Sequence, residues 1–206
     1  MDKHDFDLEA LIASAVADAD LSSRDIPAID LYLDQIITLA SDRLAQNKRG
    51  EKDKLLTKTM INNYSKDGII KPVKGKKYSR EQIVQMMLVY SLKQNFSIGE
   101  IKQLFDGVYA EEGFDGDALI ESYDRFLTFR VHERETCPDM VKELLASQGL
   151  DMQNDRDFFV GLLGISAMST YLRNIAQDML TLRYPASEKD KDKEKDKKEK
   201  DKEKQK

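Results

Sequence analysis

The sequence predicts a mostly α-helical chain carrying one small β wing, an all-helical C-terminal region and a disordered charged tail. Three observations predict it. Apolar residues recur at three and four along most of the 206 residues. Gly68, Pro72 and Gly75 interrupt that pattern around a short lysine-rich stretch. The segment SEKDKDKEKDKKEKDKEKQK, 187–206, has no apolar side chain to bury.

In chain order, LEALIASAVA (8–17) reads as a short amphipathic helix within an N-terminal segment, 1–26. Over 27–44, Ile29, Leu31, Leu33, Ile36, Ile37, Leu39 and Leu44 recur largely at helical spacing. A charged loop follows at 46–54. The next helix, 57–67, is capped by Thr57 and stopped by Gly68. IIKPVKGKKY then suits a short hairpin or wing. Ser79 with Gln82, and Ser97 with Glu100, have capping-box spacing and open helices at 80–94 and 98–105. The first of these is apolar nearly all round, which places it at the centre of a core. The acidic, Gly-containing stretch 106–117 reads as a linker between a first domain, 27–105, and a helical dimerisation or effector region, 118–186. That region contains helices at 118–134, 138–147 and about 155–184. In the last, Phe158, Leu162, Ile165, Met168, Leu172, Ile175, Met179 and Leu182 form a stripe longer than a small neighbour covers. It serves either packing within its own domain or dimerisation, and these eight residues are the candidate homodimer contacts.

The net charge is −5, unevenly spread. Residues 51–93 hold 10 basic and 4 acidic side chains, while both flanking regions are acidic. Such a patch points to an anionic partner. On a helical wheel Met60, Ile61 and Tyr64 share one side of 57–67. Lys58, Thr59, Asn62, Asn63 and Lys66 share the other, which has no carboxylate. Lys and Thr suit phosphate oxygens, and Asn can bond an adenine edge in the major groove. The following loop adds Lys71, Lys74, Lys76 and Lys77, able to track a DNA backbone. With Thr57, Tyr78 and Arg80 these make the candidate DNA-binding set.

The sequence holds no GxxxxGK[ST], GxGxxG, GxSxG or HExxH motif, so no catalytic constellation supports an enzyme. One cysteine, Cys137, and two histidines, His4 and His132, give no disulfide and no thiolate metal cage, so neither metal nor cofactor is expected. His132 and Cys137 are five apart in RVHERETCPD and read as a polar helix end rather than a base and nucleophile. Glu111, Glu112, Asp115 and Asp117 read as a solvated loop. No apolar run reaches membrane-span length, and the acidic N-terminus lacks a signal-peptide pattern, so a cytoplasmic protein is expected.

Over residues 54–105 the order of elements resembles the MerR family of bacterial winged-helix DNA-binding domains. Thr57, Ile61, Tyr64, Gly68, Ile69, Ile70 and Pro72 follow that family's recognition-helix pattern. Tyr78-Ser79 with Glu81 resembles the end of its wing, and Ser97-Ile98 with Glu100-Ile101 and Leu104 its next short helix. Asn62-Asn63 stand where the family carries an Arg-Tyr pair. The remainder resembles a group of bacterial all-helical proteins of unknown function. The resemblance implies a dimeric regulator of transcription on double-stranded DNA, its effector unidentified, with 57–67 in the major groove and the wing 71–78 on the backbone. The alternative, favoured by the acidic flanks, is a winged helix used as a protein-interaction module without DNA.

Overall fold

The computed structural model describes residues 7–48, 50, 55–73 and 75–185. The disorder expected for 187–206, His4 and Lys74 therefore lie outside the described residues. Among them are seven α-helices and one two-stranded antiparallel sheet.

Helix α1, Leu8–Val16, is capped by Asp7, whose carboxylate accepts from Ala10 N at 2.9 Å. Residues 17–22 follow outside any helix, and a single 3-10 turn forms at Ser23–Asp25. The long helix expected over 27–44 is shorter. Leu31–Tyr32 form strand β1, and α2 spans Leu33–Arg43. Leu31 and Leu33 alternate about an exposed Tyr32, a strand-like pattern that the helical count absorbs. Gln35 fixes the start of α2, its Oε1 accepting from Tyr32 N at 2.9 Å.

Helix α3, Lys58–Lys66, and α4, Arg80–Leu92, flank the lysine-rich loop. Its strand β2, Lys77–Tyr78, pairs with β1 in the register Leu31↔Tyr78 and Tyr32↔Lys77. Among the described residues the hairpin expected within 69–78 does not form. Pro72 cannot donate to a ladder, and the other arm of the loop is bonded to side chains of α4. Helix α4 is central as its composition demands, with Ile83, Val84, Met86, Met87 and Val89 all buried. Ser79 and Gln82 cap it reciprocally, as do Ser97 and Glu100 for α5, Ile98–Tyr109.

The acidic stretch 106–117 does not separate two cores. Leu119 and Tyr123, beyond it, belong to the same buried cluster as Leu21, Ile61, Ile83 and Phe105. Asp115 is instead a helix cap, accepting from Asp117 N and Ala118 N at 3.0 Å each. Helix α6 then runs unbroken from Gly116 to Ser147, replacing the two helices expected. Pro138 sits inside it and costs one donor to the carbonyl of Arg134. The N-terminal half of α6 packs on α4. Farther along, α6 receives α1. Helix α7, Asp155–Arg183, closes the described chain.

Candidate nucleic-acid interface

Helix α3 has two unlike sides. Thr57 Oγ1 accepts from Met60 N at 3.2 Å, so this hydroxyl caps the helix. Ile61 and Tyr64 are buried, while Lys58, Thr59, Asn62, Asn63 and Lys66 are exposed. Lys58 Nζ lies 2.6 Å from Asp34 Oδ1 of α2. Both side chains are more than half exposed, so this pair is worth less than about 1 kcal/mol. Gly68, at φ 71°, ends the helix, and Ile69 N and Ile70 N donate to the Tyr64 carbonyl at 2.9 and 3.3 Å.

The loop that follows is held from below. Lys71 N donates to Gln85 Oε1 at 3.1 Å, and Gln82 Nε2 donates to the carbonyls of Lys71 and Pro72 at 2.9 and 3.0 Å. Lys71 Nζ is 2.6 Å from Glu81 Oε1 and 3.9 Å from the centroid of the Tyr109 ring. Tyr109 donates to the same Glu81 oxygen at 2.7 Å and accepts from Gln85 Nε2 at 3.1 Å. Burial pushes the Tyr109 phenol far up, and the adjacent Glu81 carboxylate, which holds its proton, adds to the shift. Helix α6 also starts hard against this cluster: a Cβ at Gly116 would lie 2.8 Å from Glu81 Cδ.

At the loop tip Gly75 and Lys76 have φ of 63° and 65°. Consecutive left-handed residues make a tight reversal, natural for glycine and costly for lysine by about 1 kcal/mol. Lys76 and Lys77 are exposed, and Lys77 Nζ stands 5.0 Å from the Tyr32 ring centroid. The candidate set thus divides. Thr59, Asn62, Asn63, Lys66, Lys76 and Lys77 face outward. Thr57, Lys71, Tyr78 and Arg80 have structural roles: Tyr78 is buried, and Arg80 Nε donates to the Ser23 carbonyl at 2.9 Å. Sequence reasoning read Gln82 only as the cap partner of Ser79 and Glu81 only within a family pattern, and it missed Gln85 and the hold of all three on the loop. Their signal was two amides three apart inside an otherwise apolar helix, which cannot be buried without partners.

The eight stripe residues, Phe158 to Leu182, lie on α7, and Leu162, Met168, Leu172, Ile175, Met179 and Leu182 are exposed there. His132 and Cys137 share α6, but a five-residue step turns them about 140° apart, so they do not form a catalytic pair. No group of three or more His, Cys, Asp or Glu among the described residues is placed to hold a metal.

A family model described as a domain of unknown function, DUF1836, matches residues 21–126, just over half of the chain. The chain belongs to the DUF1836 family. The resemblance to MerR proteins is corrected by this match, since no MerR or other winged-helix family model matches. The spacing of Thr57, Tyr64, Gly68 and Pro72 is explained by the local needs of a capped helix and a turn. The DUF1836 match runs across 106–117, in keeping with the shared core. It begins at Leu21 and ends at Phe126, close to the residues by which the N-terminal segment is tied to α6. No curated protein and no solved structure matches the chain. No helix among the described residues is long and apolar enough to cross a membrane.

Proposed function

We propose that the protein binds double-stranded DNA and regulates transcription, with β1, α2, α3 and the 71–78 loop acting as a winged helix-turn-helix. Helix α3 enters the major groove and the loop tip follows the backbone. The observation that carries this reading is the outward side of α3. Thr59, Asn62, Asn63 and Lys66 are exposed on a helix whose other side is locked into the core, and Lys76 and Lys77 stand exposed just beyond it. Phosphate donors and amides able to read a base edge are thus offered together from a rigid support.

Fluorescence anisotropy against duplexes from the upstream region of its own gene, and against a random duplex, tests the reading. If Lys66, Lys76 and Lys77 each meet one phosphate, affinity should fall roughly 40-fold between about 50 and 200 mM salt. Lys76→Gly with Lys77→Gln removes two charges while relieving the left-handed lysine, and should leave a slope near −1. Asn62→Ala with Asn63→Ala should lower the preference for the specific duplex and keep the slope. A variant slope equal to that of the parent sinks the proposal.

The internal pairing of Lys58 with Asp34 and of Lys71 with Glu81, and the capture of Arg80 by Ser23, support a second reading. In it the same surface docks an acidic protein and no DNA. Absence of duplex binding at low salt, together with saturable binding of polyglutamate, would favour it.

A further inference from the structure

Helix α7 turns a side of mixed polar and apolar residues toward the rest of the chain. Leu162, Ile165, Ser166, Ser169, Thr170 and Arg173 line an open cleft against Gln94 and Asn95, and Gln177 Nε2 donates to Glu100 Oε1 at 3.1 Å. At the C-terminal end Gln103 donates to the Tyr184 carbonyl, and Leu180 is buried. The Tyr184 ring lies so close to Gly107 that an added methyl would overlap it. These contacts occupy one side of the helix. Centred more than 100° from the middle of that side around the wheel stand Met168, Leu172, Ile175, Met179 and Leu182, with exposures from 38% to 85%. A soluble helix normally turns such an apolar stripe toward its core.

The exposed stripe has a specific period. Met168, Leu172, Ile175, Met179 and Leu182 are separated alternately by four and three residues; the half-buried Ile165, and Gly161 buried against Met152 and Leu145, lie on the same register toward the start of the helix. That is the a/d spacing by which two like helices interlock in a left-handed coil. We infer that a second copy of this chain covers the stripe, forming a two-stranded coil along α7. With Tyr171 beside them, the five exposed residues offer on the order of 600 Å² of apolar surface, comparable with the ~800 Å² per partner of a stable interface. From Phe158 onward the positions flanking the seam carry only Asp178 and Arg183, so an identical copy meets no run of like charge. This pairing does not depend on what α3 binds.

Sedimentation equilibrium of the full chain at roughly 1–100 µM decides it. The expected result is a two-chain mass, reduced to a one-chain mass by Ile175→Asp with Met179→Asp. Both sites are more than half exposed in the single chain, so helical circular dichroism at the lowest concentrations should be unchanged. A one-chain mass throughout overturns the pairing, and if that monomer also binds neutral phosphatidylcholine vesicles the stripe belongs to a lipid surface. A two-chain mass that survives the double substitution overturns it equally, because the contact then lies elsewhere.

Discussion

Gln85 sits near the centre of the core at 1% exposure, with both ends of its amide committed. Its oxygen takes the Lys71 amide proton, and its nitrogen reaches the Tyr109 hydroxyl. Leucine in its place would fit the volume but strand the Lys71 N–H. Gln85→Leu should therefore lower stability by about 1–3 kcal/mol in urea unfolding and speed amide exchange at Lys71. Unchanged exchange there would mean that the loop does not depend on this amide. The residue-scale features that sequence revealed were the local ones. Thr57, Ser79 and Ser97 cap helices, and Gly68 takes a positive φ, because each answers to neighbours within four residues. The hold of Gln82 and Gln85 on the loop and on Tyr109 was not legible, since those partners lie 10 to 24 residues away.

At the scale of elements, the segment after α1 behaves as a strap across α6. Arg134 Nε donates to Asp18 Oδ1 at 2.7 Å and its Nη2 to Asp20 Oδ2 at 2.5 Å, while Arg130 bonds the same two carboxylates. The four side chains are only 15–33% exposed, so the charges are partly withdrawn from water and each needs its partners. Next to them Ser23 Oγ donates to Asp124 Oδ2 at 2.6 Å and Tyr123 donates to the Leu21 carbonyl at 2.7 Å. Asp18→Asn with Asp20→Asn should cost about 2–3 kcal/mol. It should also expose the N-terminal segment to limited proteolysis while α3–α5 stay protected; equal protection in parent and variant would assign the strap's hold to Leu21 and Ile26 alone. Sequence located most helices but misjudged three joins. It extended α2 over β1, split α6 at Pro138, and treated 106–117 as a boundary. Each error applied a local rule where long-range packing decides: β1 exists because β2 pairs with it, and Leu119 is buried because α4 is there.

For the whole molecule, one core joins the N-terminal strap, α2 to α5 and the first half of α6. Three tyrosines tied to that core carry a pH signature. Burial raises the phenols of Tyr64, Tyr109 and Tyr123, with Glu81 adding to the shift at Tyr109 and Asp20 at Tyr123. A group whose folded pKa is raised contributes stability that is complete below its unfolded value, near 10, and is lost as pH climbs toward the folded value. Unfolding at alkaline pH should therefore be cooperative, with the last phenolate absorbance appearing together with loss of helical circular dichroism. Full phenolate absorbance on a chain that keeps its helices would show that these hydroxyls are wet.

The strap also sets an order of events. Its bonds join residues 101 to 116 positions apart: Ser23 to Asp124, Leu21 to Tyr123, Asp18 to Arg134. During synthesis at roughly 5–20 residues per second, this segment waits some 5–20 s before its docking helix exists. Until then Leu21 and Ile26 have no complete pocket, and an element made well before its partner is among the last to acquire its native contacts.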